Sequence, residues 1–195
     1  EGRYTGALKG RVNDYQVDGL GRINLVTDAE LVTGPKGGFG ITGVVRVATR
    51  RLDNATLRDT LGGNAVMTAR VGFDEDGVAT LRNLRMTAPD FRITGGSGSY
   101  RPDGRIRFDA TATSTRYGPL AVTASGTLER PVVRLTAPSP NVGIQLSDVE
   151  AELTGTAAGY EVTARGGSPY GPFTADLLVR SGTGPLGVDI RHARF

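Results

Sequence analysis

The sequence predicts an all-β protein, and three observations carry that reading. Apolar residues fall at every second position in one segment after another, as in "NAVMTARVGF" (64–73) and "GRIRFDATAT" (104–113). Glycine and proline, 29 and 10 of the 195 residues, punctuate these segments without a collagen period. Helix patterns are nearly missing. Alternation with one apolar side describes strands that each keep a single dry face.

Taken in order, "TGPKGGFG" (33–40) is a glycine-rich turn that lacks the G-K-[ST] order of a phosphate loop. "LDNATLRDTLGG" (52–63) reads as a short helix or a turn, because Leu52, Leu57 and Leu61 keep a helical spacing while Thr, Asn and Asp are poor helix formers. In the next strand Ala65, Met67, Ala69, Val71 and Phe73 share a face, with Thr68 and Arg70 on the other. Asp-Gly in "DEDGVA" (74–79) and "RPDGRI" (101–106) marks hairpins, so neighbouring strands run antiparallel. Ile106, Phe108, Ala110 and Ala112 repeat the alternation. So do Leu120, Val122 and Ala124, then Tyr160, Val162 and Ala164, then Phe173, Ala175, Leu177 and Val179. Tyr-Gly-Pro precedes two of these strands, at 117–119 and 170–172. The whole chain accommodates roughly thirteen to fifteen strands.

A Leu/Val-x-Asn/Asp element begins at Leu52, Leu81 and Leu146, with a cousin at Val17, which reads as degenerate duplication. A sheet of this width curls, splits or closes. With no helices to cover the dry side, it folds onto itself as a sandwich, a flattened barrel or a U-shaped trough. A sandwich core calls for bulky residues meeting in the middle, yet many inward positions are alanine (Ala65, Ala69, Ala110, Ala112, Ala124, Ala164, Ala175). Either these pack against large partners, or they leave room for hydrocarbon.

Composition removes several classes of function. There is no cysteine, hence no disulfide, zinc-thiolate site or thiol catalysis. His192 is the single histidine, which leaves no multi-histidine metal site, and no G-x-S-x-G elbow accompanies it. "DEDG" lacks the ligands of a calcium loop, and "GGSGS" (95–99) does not fit a dinucleotide fingerprint. Asp103 and Asp109 flank a hairpin and read as solvated charges. The net charge is +3 and nearly all basic residues are arginine, but along the sequence they are spread over strands and turns, which speaks against nucleic acid. No run is apolar enough for a transmembrane helix. Glu1 at the start suggests a processed chain or a slice of a longer one. The expectation is a single non-enzymatic domain over 1–195, with no cofactor and no metal.

The ordered series in "LRNLRMTAPDFRITGGSGSYRPDGRIRFDATAT" (81–113), "YGPLAVTASGTLERPVVRL" (117–135) and "LSDVEAELTGTAAGYEVTARGGSPYGPF" (146–173) resembles the TamB-like and AsmA-like repeating β-groove proteins of bacteria. The resemblance is diffuse and extends from about residue 10 onward; its individual motifs carry little information. It implies a tapered β trough with an apolar interior in a periplasmic protein, anchored to the inner membrane by a segment outside this chain. It further implies carriage of phospholipid between the membranes and, with an outer-membrane barrel partner, support of outer-membrane protein assembly. The expected groove lining is Met67, Val71, Phe73, Ile93, Ile106, Phe108, Leu120, Val122, Val133, Leu135, Val162, Phe173, Leu177 and Val179. The alternative is a β-solenoid surface adhesin or secreted passenger domain with no lipid role. A membrane barrel fits poorly, since aromatics are 6% and tryptophan is absent.

Overall fold

The computed structural model describes residues 6–156, 159–180 and 187–194. Thirteen strands hydrogen-bond in chain order: β1 (Gly6–Val17), β2 (Gly21–Thr33), β3 (Phe39–Leu52), β4 (Val66–Phe73), β5 (Ala79–Thr87), β6 (Phe91–Tyr100), β7 (Arg105–Ser114), β8 (Gly118–Thr127), β9 (Pro131–Ala137), β10 (Ser147–Thr156), β11 (Gly159–Ser168), β12 (Gly171–Arg180) and β13 (Gly187–Arg194). One helix, α1 (Ala55–Leu61), joins β3 to β4. The chain divides into two compact units, Glu1–Asp103 with β1 to β6 and Gly104–Phe195 with β7 to β13. The all-β, antiparallel expectation holds. The flattened-barrel option does not: a barrel needs its first and last strands to pair, and the strand order runs from β1 to β13 without that return.

In the first unit the hairpins follow from local chemistry. The Asp74 carboxylate accepts the backbone N–H groups of Asp76 and Val78 (3.1 and 2.9 Å), and Gly77 takes φ 75°, closing the β4–β5 turn. Helix α1 is short and well capped. Asn54 accepts the N–H of Leu57 through its side chain, and Gly62 ends the helix at φ 70°. Its Leu61 joins Leu52 and Ala65 in a small core against Leu20, Met86, Ala88 and Phe91, which covers one end of this unit's sheet.

Five strands, β1, β3, β5, β10 and β13, carry an extra residue, and in three of them it coincides with a non-glycine residue at positive φ. Asp14 lies between the pairs Val12↔Leu25 and Tyr15↔Ile23. Asn83 lies in β5 between Arg82↔Arg70 and Arg85↔Thr68. Asp148 lies in β10 between Ser147↔Gly167 and Glu150↔Arg165. These are β-bulges, and Asn and Asp tolerate the left-handed conformation they require.

In the second unit the two Tyr-Gly-Pro segments prove to be one device. Each ends a hairpin turn closed by a serine: Ser114 Oγ accepts the N–H of Arg116, and Ser168 Oγ accepts that of Tyr170. The proline then stands second in its strand, β8 or β12, where its missing N–H is tolerated.

Candidate functional site

Strand register turns the alternation into two chemically distinct faces within each unit. In the first unit one row across the sheet reads Val12, Leu25, Val47, Met67, Met86, Ile93. A parallel row reads Leu8, Ala29, Gly43, Val71, Leu81. In the second unit one row runs Phe108, Ala124, Val133, Leu153, Val162, Leu177, and its neighbour Ala110, Val122, Leu135, Ala151, Ala164, Ala175. The intervening row on the reverse side is Asp109, Thr123, Arg134, Glu152, Thr163, Asp176.

All fourteen expected lining residues fall on the apolar faces. Met67, Val71, Phe73 and Ile93 belong to the first unit, and the other ten to the second. Thirteen of them are half-buried, and Phe73 is 52% exposed. Among the described residues no large side chain is fully buried, and six of the ten buried apolar residues are alanines. Most large apolar residues of these faces stay half-buried, and the most buried positions on them are mainly alanines. Toward the β2–β3 and β4–β5 hairpins of the first unit the dry face also exposes Phe39 and Ile41, which the alternation in the sequence did not single out. Glycine and threonine at inward positions of β1 to β3, such as Gly10, Thr27 and Gly43, interrupt the pattern there; only the register restores it.

The polar faces are held by exposed cross-strand ion pairs. Arg134 meets Glu152 at 2.6 Å, a bond that raises the arginine's pKa, Arg165 Nε meets Glu150 at 3.0 Å, and Arg191 meets Glu161 at 3.1 Å. In the first unit the glycine-rich 34–38 loop wraps a carboxylate of the chain itself. Glu75 accepts the N–H groups of Lys36 and Gly38 (2.9 and 2.8 Å), and Lys36 Nζ reaches Asp76 at 2.6 Å, which raises the lysine's pKa. A Cβ on Gly38 would lie 2.7 Å from the Glu75 carboxylate and 2.8 Å from its Cβ, so a larger residue here would push Glu75 aside. The loop is a clasp between two hairpin tips.

Among the described residues no three His, Asp or Glu side chains come together as a metal site, and no helix is long and apolar enough to cross a membrane. His192 is exposed in β13. The register also does something the linear sequence concealed: it gathers arginines of β1, β3, β4 and β5 on the polar face of the first unit. No family model matches the sequence, and neither a curated protein nor a solved structure matches it.

Proposed function

We propose that this chain is a length of non-catalytic conduit whose dry face shelters phospholipid acyl chains on their way between bacterial membranes. The observation that carries the reading is the half-buried apolar face, continuous across the strands of each unit and backed by a charged one. Leaving hydrocarbon in water costs about 0.8 kcal/mol per methylene, or about 12 kcal/mol for a sixteen-carbon chain. An apolar wall that curls into a trough removes most of that barrier while the polar head stays wet. Nothing in such a task calls for a reacting residue or a cofactor. The periplasmic setting, the inner-membrane anchor and the outer-membrane barrel partner belong to the same proposal and rest on the family resemblance. A β-solenoid passenger domain would stack parallel rungs, whereas every pairing described here is antiparallel.

The test is native mass spectrometry and lipid extraction of the purified chain, beside Val122→Asp and Phe108→Arg. Both residues are half-buried on the dry face of the second unit. The expected result is co-purified phospholipid with the parent chain and its loss in variants that keep the β circular-dichroism signature. Folded variants that retain the parent's lipid would sink the proposal.

A further inference from the structure

We propose that the polar face of the first unit is a docking surface for an anionic phospholipid headgroup layer, built from Arg11, Arg46, Arg70, Arg82 and Arg85. Register places these residues in two adjacent rows. One reads Arg11, Val26, Arg46, Thr68, Arg85, and the other Lys9, Asp28, Val44, Arg70, Arg82. Arg82 and Arg85 are three apart and in a regular strand would face opposite ways. The Asn83 bulge turns both to the polar side, leaving Leu81 and Leu84 on the dry one.

The arrangement is electrostatically one-sided. Arg70 stands directly opposite Arg82 across the β4–β5 pair, a like-charge contact that disfavours the sheet unless an anion bridges it. All five arginines are exposed, and none has an ion-pair partner among the described residues. The one carboxylate in the two rows, Asp28, is held by Lys9 at 3.7 Å. Asp74, Glu75 and Asp76 share a groove with Arg70 and Arg82, but they are taken up by the turn's own N–H groups, by the 34–38 loop and by Lys36. The adjoining row adds one more carboxylate, Glu30, in a groove with Asp28 and Arg70, so five arginines face two carboxylates and the excess calls for an external anion.

The shape of the array selects the kind of anion. From β1 to β5 it covers about 19 Å at ordinary strand spacing. Guanidinium groups spread over that width suit many phosphates in a layer, each able to accept a forked pair of hydrogen bonds. Val26 and Val44, 39% and 46% exposed, stand between the arginines and offer apolar contact at headgroup depth. The two rows contain no aromatic side chain, so no base would find a stacking partner, which disfavours single-stranded nucleic acid. This inference concerns the face opposite the one assigned to acyl chains and stands or falls separately.

The experiment is co-sedimentation of the 195-residue chain with phosphatidylcholine vesicles with and without phosphatidylglycerol, alongside a single-stranded oligonucleotide and inorganic phosphate. Binding should require phosphatidylglycerol and weaken steeply with salt. Each arginine removed should weaken it about fivefold, so Arg70→Gln with Arg82→Gln should lose about twenty-five-fold. Both substitutions relieve a repulsion and should leave the melting temperature unchanged or higher. Arg107→Gln, on the polar face of the second unit, should change little. The proposal is overturned by any of four results: no binding to anionic vesicles, equal binding to neutral ones, a loss no greater for the double variant than for Arg107→Gln, or tighter binding of the oligonucleotide than of the vesicles.

Discussion

Asp14, Asn83 and Asp148 mark three of the five places where the sheet changes step. Each follows an apolar residue by two and precedes another by one: Val12-x-Asp14-Tyr15, Leu81-x-Asn83-Leu84, Leu146-x-Asp148-Val149. Two apolar residues three apart, with Asn or Asp before the second, thus spell a bulge, and in β1 and β5 it keeps both on the dry face. At Leu52 the same string behaves differently, because Asn54 keeps φ at −75° and caps a helix. The left-handed conformation disfavours other side chains by about 1–2 kcal/mol. Asn83→Val should lower the unfolding free energy by about that much in urea titrations, while Asn83→Gly should stay near the parent. A second residue-scale prediction concerns Asp53. Its hydrogen bonds to Arg51 and Gln16 hold its pKa below the ordinary 3.8. A carboxyl with a lowered folded pKa adds stability above its unfolded value, and that contribution disappears as pH falls through the folded one. Asp53→Asn should therefore melt slightly lower at neutral pH and show a shallower loss of stability on acidification, read by thermal scans down through pH 4 and below. Equal acid sensitivity in the two proteins would rule this out.

At the scale of the element, α1 shows how little helix a sheet needs in order to close one end. Seven residues are marginal on propensity alone. The helix persists because both ends are capped and Leu61 is buried with Leu52 and Ala65. Asn54→Ala should cost about 1 kcal/mol, and Leu61→Ala about 2–5 kcal/mol, both measured by chemical denaturation. If Leu61→Ala were neutral, the small core would not be what holds this end. The two serine-closed turns before β8 and β12 are a second recurrent element, and they explain why Tyr-Gly-Pro appears twice.

Across the molecule, the two-faced strands matter more than any one side chain. The inward alanines were compatible either with large partners across a core or with open space. Among the described residues no large side chain is fully buried, which speaks for open space. A native chain with such a face should bind an environment-sensitive apolar dye at neutral pH, and a long-chain fatty acid should displace it. A folded chain that leaves the dye dark would argue that the faces are covered. The polar sides carry the opposite lesson. Arginines that look scattered in the sequence become neighbours once β1 to β5 are laid side by side.

Alternation, Asp-Gly turns and scarce helix formers determined the fold class, the antiparallel pairing and the sidedness of each strand, because these depend on residues within a few positions of one another. Membership of the dry face was legible in β4, in β7 to β9 and in β11 and β12, where period two is unbroken. It was blurred in β1 to β3 and at the bulges, where Gly, Thr or an extra residue disturbs the count. Only the tertiary structure decided that the sheet does not close as a barrel and which charges meet. Both depend on which residues stand opposite across strands, and a one-residue change of register reverses every such neighbour.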